Sequence, residues 1–400
     1  MVTRGAEVPF LNEPNRAGQD NNMSTTPITP NDGRSERLRE LDGWRAVSVL
    51  LVIAHHIGAY QHPRSLSRYP GPAHIFQYCG DLGVKIFFVI SGFVICRLLI
   101  SEEFRYGSVS LKAFYSRRIF RILPPFYFYL GILSLLLSLG LIHESWRSIW
   151  GATLFLFDIR YVTSHSWFVG HTWSLAVEEQ FYLLFPTIWT LTAKRWKVRV
   201  FFGVLLLIAA WDLYTIYGGG PSLTSARTRE GFACICCGVL MATLESRARH
   251  LAARVPALVV VLLALMLLVQ PMGSESLLSS LYESLLVPPA IGVILLFSLK
   301  RGPWLRATLC SKPIQALGLT SYGIYLWQQL FTTPKVYISE TGPQPYFSEH
   351  GQIIMWLLPL LCLIVPLSYF LIEKPAMRLG RTLSTRMTTI HEKETVALHS

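Results

Sequence analysis

The chain has 400 residues, 52% of them apolar and only 15% charged, with a mean hydropathy of +0.40. A water-soluble domain carries nearer ~25% charged residues, so a soluble chain of this size is excluded, and so is disorder over most of the length. Seven cysteines, sparse and odd in number, exclude a disulfide-stapled scaffold. The net charge of +12 reads, in so apolar a chain, as the Lys/Arg excess of cytoplasmic loops; no nucleic-acid partner is implied.

Met1 to about Asp32 is polar and rich in Asn, Pro, Thr and Gly. It has no apolar core of the kind a secretory signal needs, so residues 1–35 read as a disordered cytoplasmic tail. A membrane span needs about 20 apolar residues. Ten stretches meet that need: 41–60, 82–101, 122–141, 173–193, 200–217, 231–246, 255–270, 282–299, 316–334 and 353–373. The stretch 148–159 is too short to cross and reads as interfacial or re-entrant. Ten spans alternating from a cytoplasmic N-terminus put 27 Lys/Arg in inner segments and 7 in outer ones, with Arg45 and Lys85 inside spans. The positive-inside rule then places both termini in the cytoplasm. The expected fold is all-α: a polytopic helix bundle of about ten transmembrane helices in the cell membrane. It forms one unit over 36–376, and 377–400 is a second cytoplasmic tail.

Ionisable groups inside spans are costly, which makes them candidates for function. In the first span Arg45 and His56 are 11 residues apart, about 20° past three full turns, so both project from one face about 16 Å apart. Asp42 shares that face. An imidazole that titrates near neutrality is suited to general-base work on a hydroxyl; the alternative is a snorkelling arginine and a histidine bonded to a neighbouring helix. The second span carries Gly80, Gly83 and Gly92, which permit close helix approach. Its Lys85 either neutralises an acid on another helix or, the favoured reading, snorkels to the outer surface. Next comes a loop, FYSRRIFRILPPFY, in which Arg117, Arg118 and Arg121 cluster. Their planar forks suit phosphate or pyrophosphate, though spacing alone favours a positive-inside anchor or an anionic-lipid patch. Pro124 and Pro125 are expected to set the start of the following helix. In the fourth span Glu178 and Glu179 lie a few residues into an apolar helix and so require partners, drawn from Arg45, His56 or the arginine cluster. A carboxylate there would orient the imidazole, unless the pair is purely structural. Cys234, Cys236 and Cys237 read as buried small side chains, since no second ligand cluster makes a zinc site of them. No metal is expected. Asp212 is a lone acid in the fifth span, and Glu373 closes the last.

In this order the segments RLRELDGWRAVSVLLVIAHH, GVKIFFVISGFVI, FYSRRIFRILPPFY, HTWSLAVEEQFYLLFP, LTSYGIYLWQQ and IEKP resemble the membrane-bound acyltransferase-3 family over about residues 36–376. The resemblance implies an O-acyltransferase that moves an acyl group, acetyl in the first instance, from cytoplasmic acyl-CoA to a hydroxyl. The acceptor would be a sugar of an envelope or lipid-linked glycan, or a macrolide. It implies that Arg45 and His56 are an essential pair, with the family's Arg-x-x-Arg at Arg118 and Arg121, its span acids at Glu178 and Glu179, and its closing acid at Glu373. Tyr322 lies in the fifth of these segments and joins the candidate set. The chain departs from the family pattern at Lys85, where many members have an acid, and at Gln328, where many have histidine. In the expected mechanism Arg117, Arg118 and Arg121 hold the donor's pyrophosphate and Arg45 lines the inner mouth. His56 acts as general base or carries the acyl group, steadied by Glu178 or Glu179. A transporter that moves a substrate without chemistry is the rival reading, with the same ionisable groups as a proton relay.

Overall fold

The computed structural model describes residues 38–61, 72–159, 166–217, 225–268, 279, 281–300, 303–332 and 358–399. The expected tail over 1–35 and the side chain of Asp212 lie outside the described residues. The rest is helical, with no β-strand among the described residues. In chain order the helices are α1 (Arg39–Gln61), α2 (Pro72–Tyr106), α3 (Leu111–Ser138), α4 (Trp146–Thr153), α5 (Thr172–Leu191), α6 (Lys197–Tyr217), α7 (Ala226–Thr243), α8 (Glu245–Arg254), α9 (Ala257–Leu268), α10 (Val287–Lys300), α11 (Pro303–Leu309), α12 (Lys312–Leu319), α13 (Ser321–Phe331), α14 (Leu358–Ser368) and α15 (Lys374–His399).

Among the described residues four helical runs are long and apolar enough to cross a membrane: Cys79–Tyr106, Leu111–Ser138, Tyr282–Leu299 and Pro359–Ile390. A fifth is added if α7 and α8, bent by 96° at their junction, count as one. The remaining apolar stretches are helical too, but each falls short in its own way. The α1 stretch is diluted by Arg45, His55 and His56, and α9 has 12 residues, about 18 Å of helix against a hydrocarbon core of about 30 Å. The expected span 316–334 is broken in two at Thr320, which ends α12 and precedes α13. The expected start of α3 at the prolines is also corrected. Ser110 caps the helix by accepting a hydrogen bond from the Ala113 amide, and the helix then runs straight through Pro124 and Pro125. Arg117, Arg118 and Arg121 therefore stand on a helix, not in a loop. The last helix likewise continues past residue 376, through α15 to His399, and packs along α3.

Helix α2 is the centre: its apolar window is 72% buried, against 22% for Pro359–Ile390 at the periphery. It packs on α1 and α7, and small residues set the spacing. Gly92 of α2 abuts the Ile235 carbonyl of α7, and Gly238 of α7 abuts the Val89 carbonyl of α2, so neither position has room for a Cβ. Helix α1 is fixed to α10 by a 2.8 Å bond from Trp44 Nε1 to Ser298 Oγ. It is fixed to α12 by Gly318, which rests on the Asp42 carbonyl. Gly318→Ala is expected to force these helices apart and cost ~1–3 kcal/mol, read as a lower melting temperature of the purified protein; an unchanged melt would mean that the contact is not tight. Two helices begin or continue through a π-helical turn, Tyr282–Leu286 and Tyr369–Glu373, and each turn carries a buried acid, Glu283 and Glu373. Such wider turns re-aim a side chain at local cost and recur at functional sites.

Candidate active site

Three helices bring charged side chains to one cavity of about 80 Å³. From α1 comes Arg45, held by a 3.1 Å ion pair to Asp42 one turn earlier, the pairing the i,i+3 spacing predicts. From α3 come Arg118 and Arg121, one turn apart on the same face. The prolines matter here. With no N–H at positions 124 and 125, the carbonyls of Phe120 and Arg121 lose their helical donors. The neighbouring Ile122 carbonyl accepts from Tyr322 Oη at 3.0 Å, which ties α3 to α13. From α5 comes Glu178, which accepts a 2.5 Å hydrogen bond from Ser91 Oγ of α2. Three guanidiniums, Arg45, Arg118 and Arg121, are the cationic neighbours of this one carboxylate. Tyr182 and Tyr322 close the sides, and the Arg118 guanidinium lies 5.2 Å from the centre of the Tyr182 ring. Excess positive charge, planar donors and enclosing aromatic walls together suit a polyanion such as a diphosphate.

The other predicted residues are placed around this cavity, not all in it. Glu373 is buried with Oε1 unbonded, hard against Gly323, and has Arg121 as its charged neighbour. Glu179, a further 100° round α5, lies near Tyr322 instead of in the cavity wall. Arg117 separates from its two companions. It bonds Ser384 Oγ at 2.7 Å and Glu102 Oε2 at 2.9 Å, and it lines a second, more open cavity with Arg105 and Arg381. One residue is enough to turn it away, because adjacent helical positions diverge by about 100°.

His56 lies beyond the cavity, which its side chain does not line. Its ring packs edge-on against Trp167 at 5.6 Å and against His55 at 5.1 Å. His171 and the Gln328 amide are its other polar neighbours, yet His56 Nδ1 completes no hydrogen bond. The carboxylate expected on this imidazole is absent from that set. The reason is level along the helix axes: Glu178 sits with Arg45, whereas His171, seven residues or about 10 Å up α5, sits with His56. His171, Ser174 and Glu178 thus repeat on α5 the one-face arrangement of Arg45 and His56 on α1. That repeat was readable in HTWSLAVEE from spacing alone and was missed. Ser91, Ser174 and Tyr325, also in the cavity wall, carried no such signal, since an uncharged polar residue in a span is common. Lys85 is corrected as well: it is buried and holds Asp81, Glu230 and Glu283 at 2.9, 3.0 and 2.5 Å, with no reach to the surface. Cys234 and Cys236 are buried.

A family model described as an acyltransferase domain matches residues 38–373. Among curated relatives, "Peptidoglycan O-acetyltransferase OatA" of Listeria monocytogenes is 27% identical over 343 residues, 75% of this chain and 50% of the relative. "Putative peptidoglycan O-acetyltransferase YrhL" of Bacillus subtilis is 26% identical over 389 residues, 88% of this chain and 56% of the relative. "O-acetyltransferase OatA" of Staphylococcus aureus is 32% identical over 184 residues, 43% of this chain and 28% of the relative. The chain thus spans about a quarter to just over half the length of these proteins. No solved structure matches it.

Proposed function

The chain belongs to the acyltransferase-3 family, and from that membership we propose that it is an integral membrane O-acyltransferase carrying an acetyl group from acetyl-CoA to a hydroxyl of a glycan. The relatives named as peptidoglycan O-acetyltransferases favour a glycan acceptor and an acetyl group. In this reading the chain crosses the cell membrane about ten times with both ends in the cytoplasm, an arrangement that the 27 to 7 distribution of Lys/Arg favours. The cavity then opens toward the cytoplasmic side, where the donor is found.

One observation carries this reading: three guanidiniums ring a single cavity, and the helix that supplies Arg45 also presents His56 about 16 Å further on. That depth matches a donor whose charged head stays at the mouth while its acyl end reaches inward. Arg118 and Arg121 grip the diphosphate and Arg45 lines the throat. His56 receives the proton of the acceptor hydroxyl as the acyl group transfers, or takes the acyl group itself first. Glu178 keeps the arginines aligned, and Glu373 and Tyr322 brace Arg121 and α3 from behind.

Arg121→Ala tests the donor side. It is expected to raise the KM for acetyl-CoA by about tenfold or more, with a smaller fall in kcat, because a phosphate clamp acts in ground state and transition state alike. Steady-state kinetics in lipid nanodiscs decide it: a fall in kcat at unchanged KM would place Arg121 at the chemistry and remove the clamp.

A further inference from the structure

Next to the arginine cavity lies a second group of polar atoms, of which the proposed reaction gives a task to His56 alone. His171 has both ring nitrogens buried without a hydrogen bond, and so do His56 Nδ1, Trp327 Nε1 and Gln328 Oε1. These groups are neighbours. His171 and Gln328 both act on His56. The His171 ring meets Tyr325 at 5.3 Å and Tyr129 at 5.9 Å, and Tyr129 meets Trp327 at 5.2 Å. The enclosure is nearly complete: His171 is 5% exposed, Trp327 3% and Gln328 0%.

Buried polar groups are bonded in the great majority of cases, so five unbonded atoms in one place point to an absent partner. The chemistry of the set narrows that partner. Trp327 Nε1 can only donate, Gln328 Oε1 can only accept, and a neutral imidazole does one at each nitrogen. An anion would ask for donors alone and a cation for acceptors alone. A neutral hydroxyl, donor and acceptor at once, satisfies both, and the faces of Tyr129 and Tyr325 offer apolar area to the carbon side of a polyol.

We propose that His171, Gln328 and Trp327, beside His56, form the pocket that receives the acceptor hydroxyl, a neutral alcohol of a sugar or other polyol. The pocket adjoins the arginine cavity. Between the two stands Tyr325, whose Oη lies 2.6 Å from Ser174 Oγ and 2.9 Å from the His171 carbonyl. Tyr325 and Ser174 are also wall residues of the arginine cavity. They stand where the donor's acyl end and the acceptor hydroxyl would meet, and His56 lies on the acceptor side of that meeting point. The inference rests on the O-acyltransferase reading and adds to it where the second substrate sits.

The test uses the full chain in nanodiscs, with chitotetraose as acceptor probe and acetyl-CoA as donor, and variants His171→Leu and Gln328→Leu. Calorimetric titration is expected to show chitotetraose binding weakened by at least about tenfold in each variant, because a site built around a hydroxyl depends on its polar partners. Acetyl-CoA binding should stay within about twofold. His171→Leu should melt at or above the wild-type temperature, since its ring nitrogens complete no hydrogen bond, whereas Gln328→Leu also gives up the 3.1 Å bond from Gln328 Nε2 to Gln329 Oε1 and is read by ligand affinity alone. A purely structural role predicts the reverse, a lower melting temperature. Unchanged chitotetraose affinity, parallel loss of both ligands, or no chitotetraose binding by the wild type would each overturn the pocket. Wild-type binding of both ligands without acetyl transfer would leave the pocket standing and overturn the proposed reaction.

Discussion

His56→Ala, purified in lipid, is expected to lose at least about a hundredfold in acyl transfer while keeping its fold and its affinity for acetyl-CoA, the contribution that general-base work commonly makes. The structure separates the two properties. His56 lies outside the arginine cavity, so the proposed grip on the donor does not call on it. Its Nδ1 holds no neighbour in place, so truncation breaks no hydrogen bond there. His55→Ala is the control. That ring packs against Gly80 of α2, where it fills the space a Cβ would occupy, and its loss should leave turnover within about threefold. Single-turnover rates from labelled acetyl-CoA make the comparison. More than about a tenth of wild-type activity in His56→Ala would take this imidazole out of the chemistry, and equal losses at both histidines would mean that the helix end, not one ring, is what matters. An acid quench of the same reaction that traps label on the wild type, and none on His56→Ala, would favour the acyl carrier over the simple base.

The helical period alone made part of this site legible. The 11-residue interval put Arg45 and His56 on one face, the i,i+3 rule paired Asp42 with Arg45, and Arg118 and Arg121 share a face for the same local reason. What was not legible depends on which helix lies opposite. Nothing in the second span states that Glu230 and Glu283, about 145 and 200 positions away, converge on Lys85. Burial among three carboxylates overrode the snorkelling that its place in the span suggested. Nor does the fourth span state that Glu178 finds Ser91 and the arginines instead of His56; that follows from the relative heights of α1 and α5. The proline pair misled for a related reason. Proline disfavours a helix interior because it leaves carbonyls unbonded, yet α3 continues through the pair, held to α13 next to it by the bond from Tyr322 Oη to the Ile122 carbonyl. The break at Thr320 is similar: α12 and α13 are separate because Gly318 must meet α1 backbone to backbone, a demand that hydropathy cannot register.

Lys85→Met is expected to be the most destabilising single change in the molecule outside the cavity. The ammonium lies 2.9 Å from Asp81, 3.0 Å from Glu230 and 2.5 Å from Glu283, and its side chain is 5% exposed. Methionine keeps the volume and removes the charge, so packing is preserved and the electrostatic effect is isolated. The three carboxylates would then face one another without that charge, and Arg227, 3.6 Å from Asp81 but itself 65% exposed, would compensate little. Removing one partner of a buried ion cluster typically costs about 3–5 kcal/mol, because an uncompensated charge is left behind. Most of that cost should be recovered by taking the opposite charge away as well. Lys85→Met with Glu283→Gln is expected to melt above Lys85→Met alone, a coupling of the kind that neighbours in one network show. The cluster joins α2, α7 and the π-turn before α10, whereas the charged groups of the proposed donor site stand on α1, α3 and α5. The surviving folded fraction should therefore bind acetyl-CoA as the wild type does. Thermal melts of the single and double variants, with acetyl-CoA titrations on the folded material, measure both. Melting of Lys85→Met within about 2 °C of wild type would show that the cluster carries little of the stability. A double variant no better than the single would show that the carboxylates do not repel one another across it.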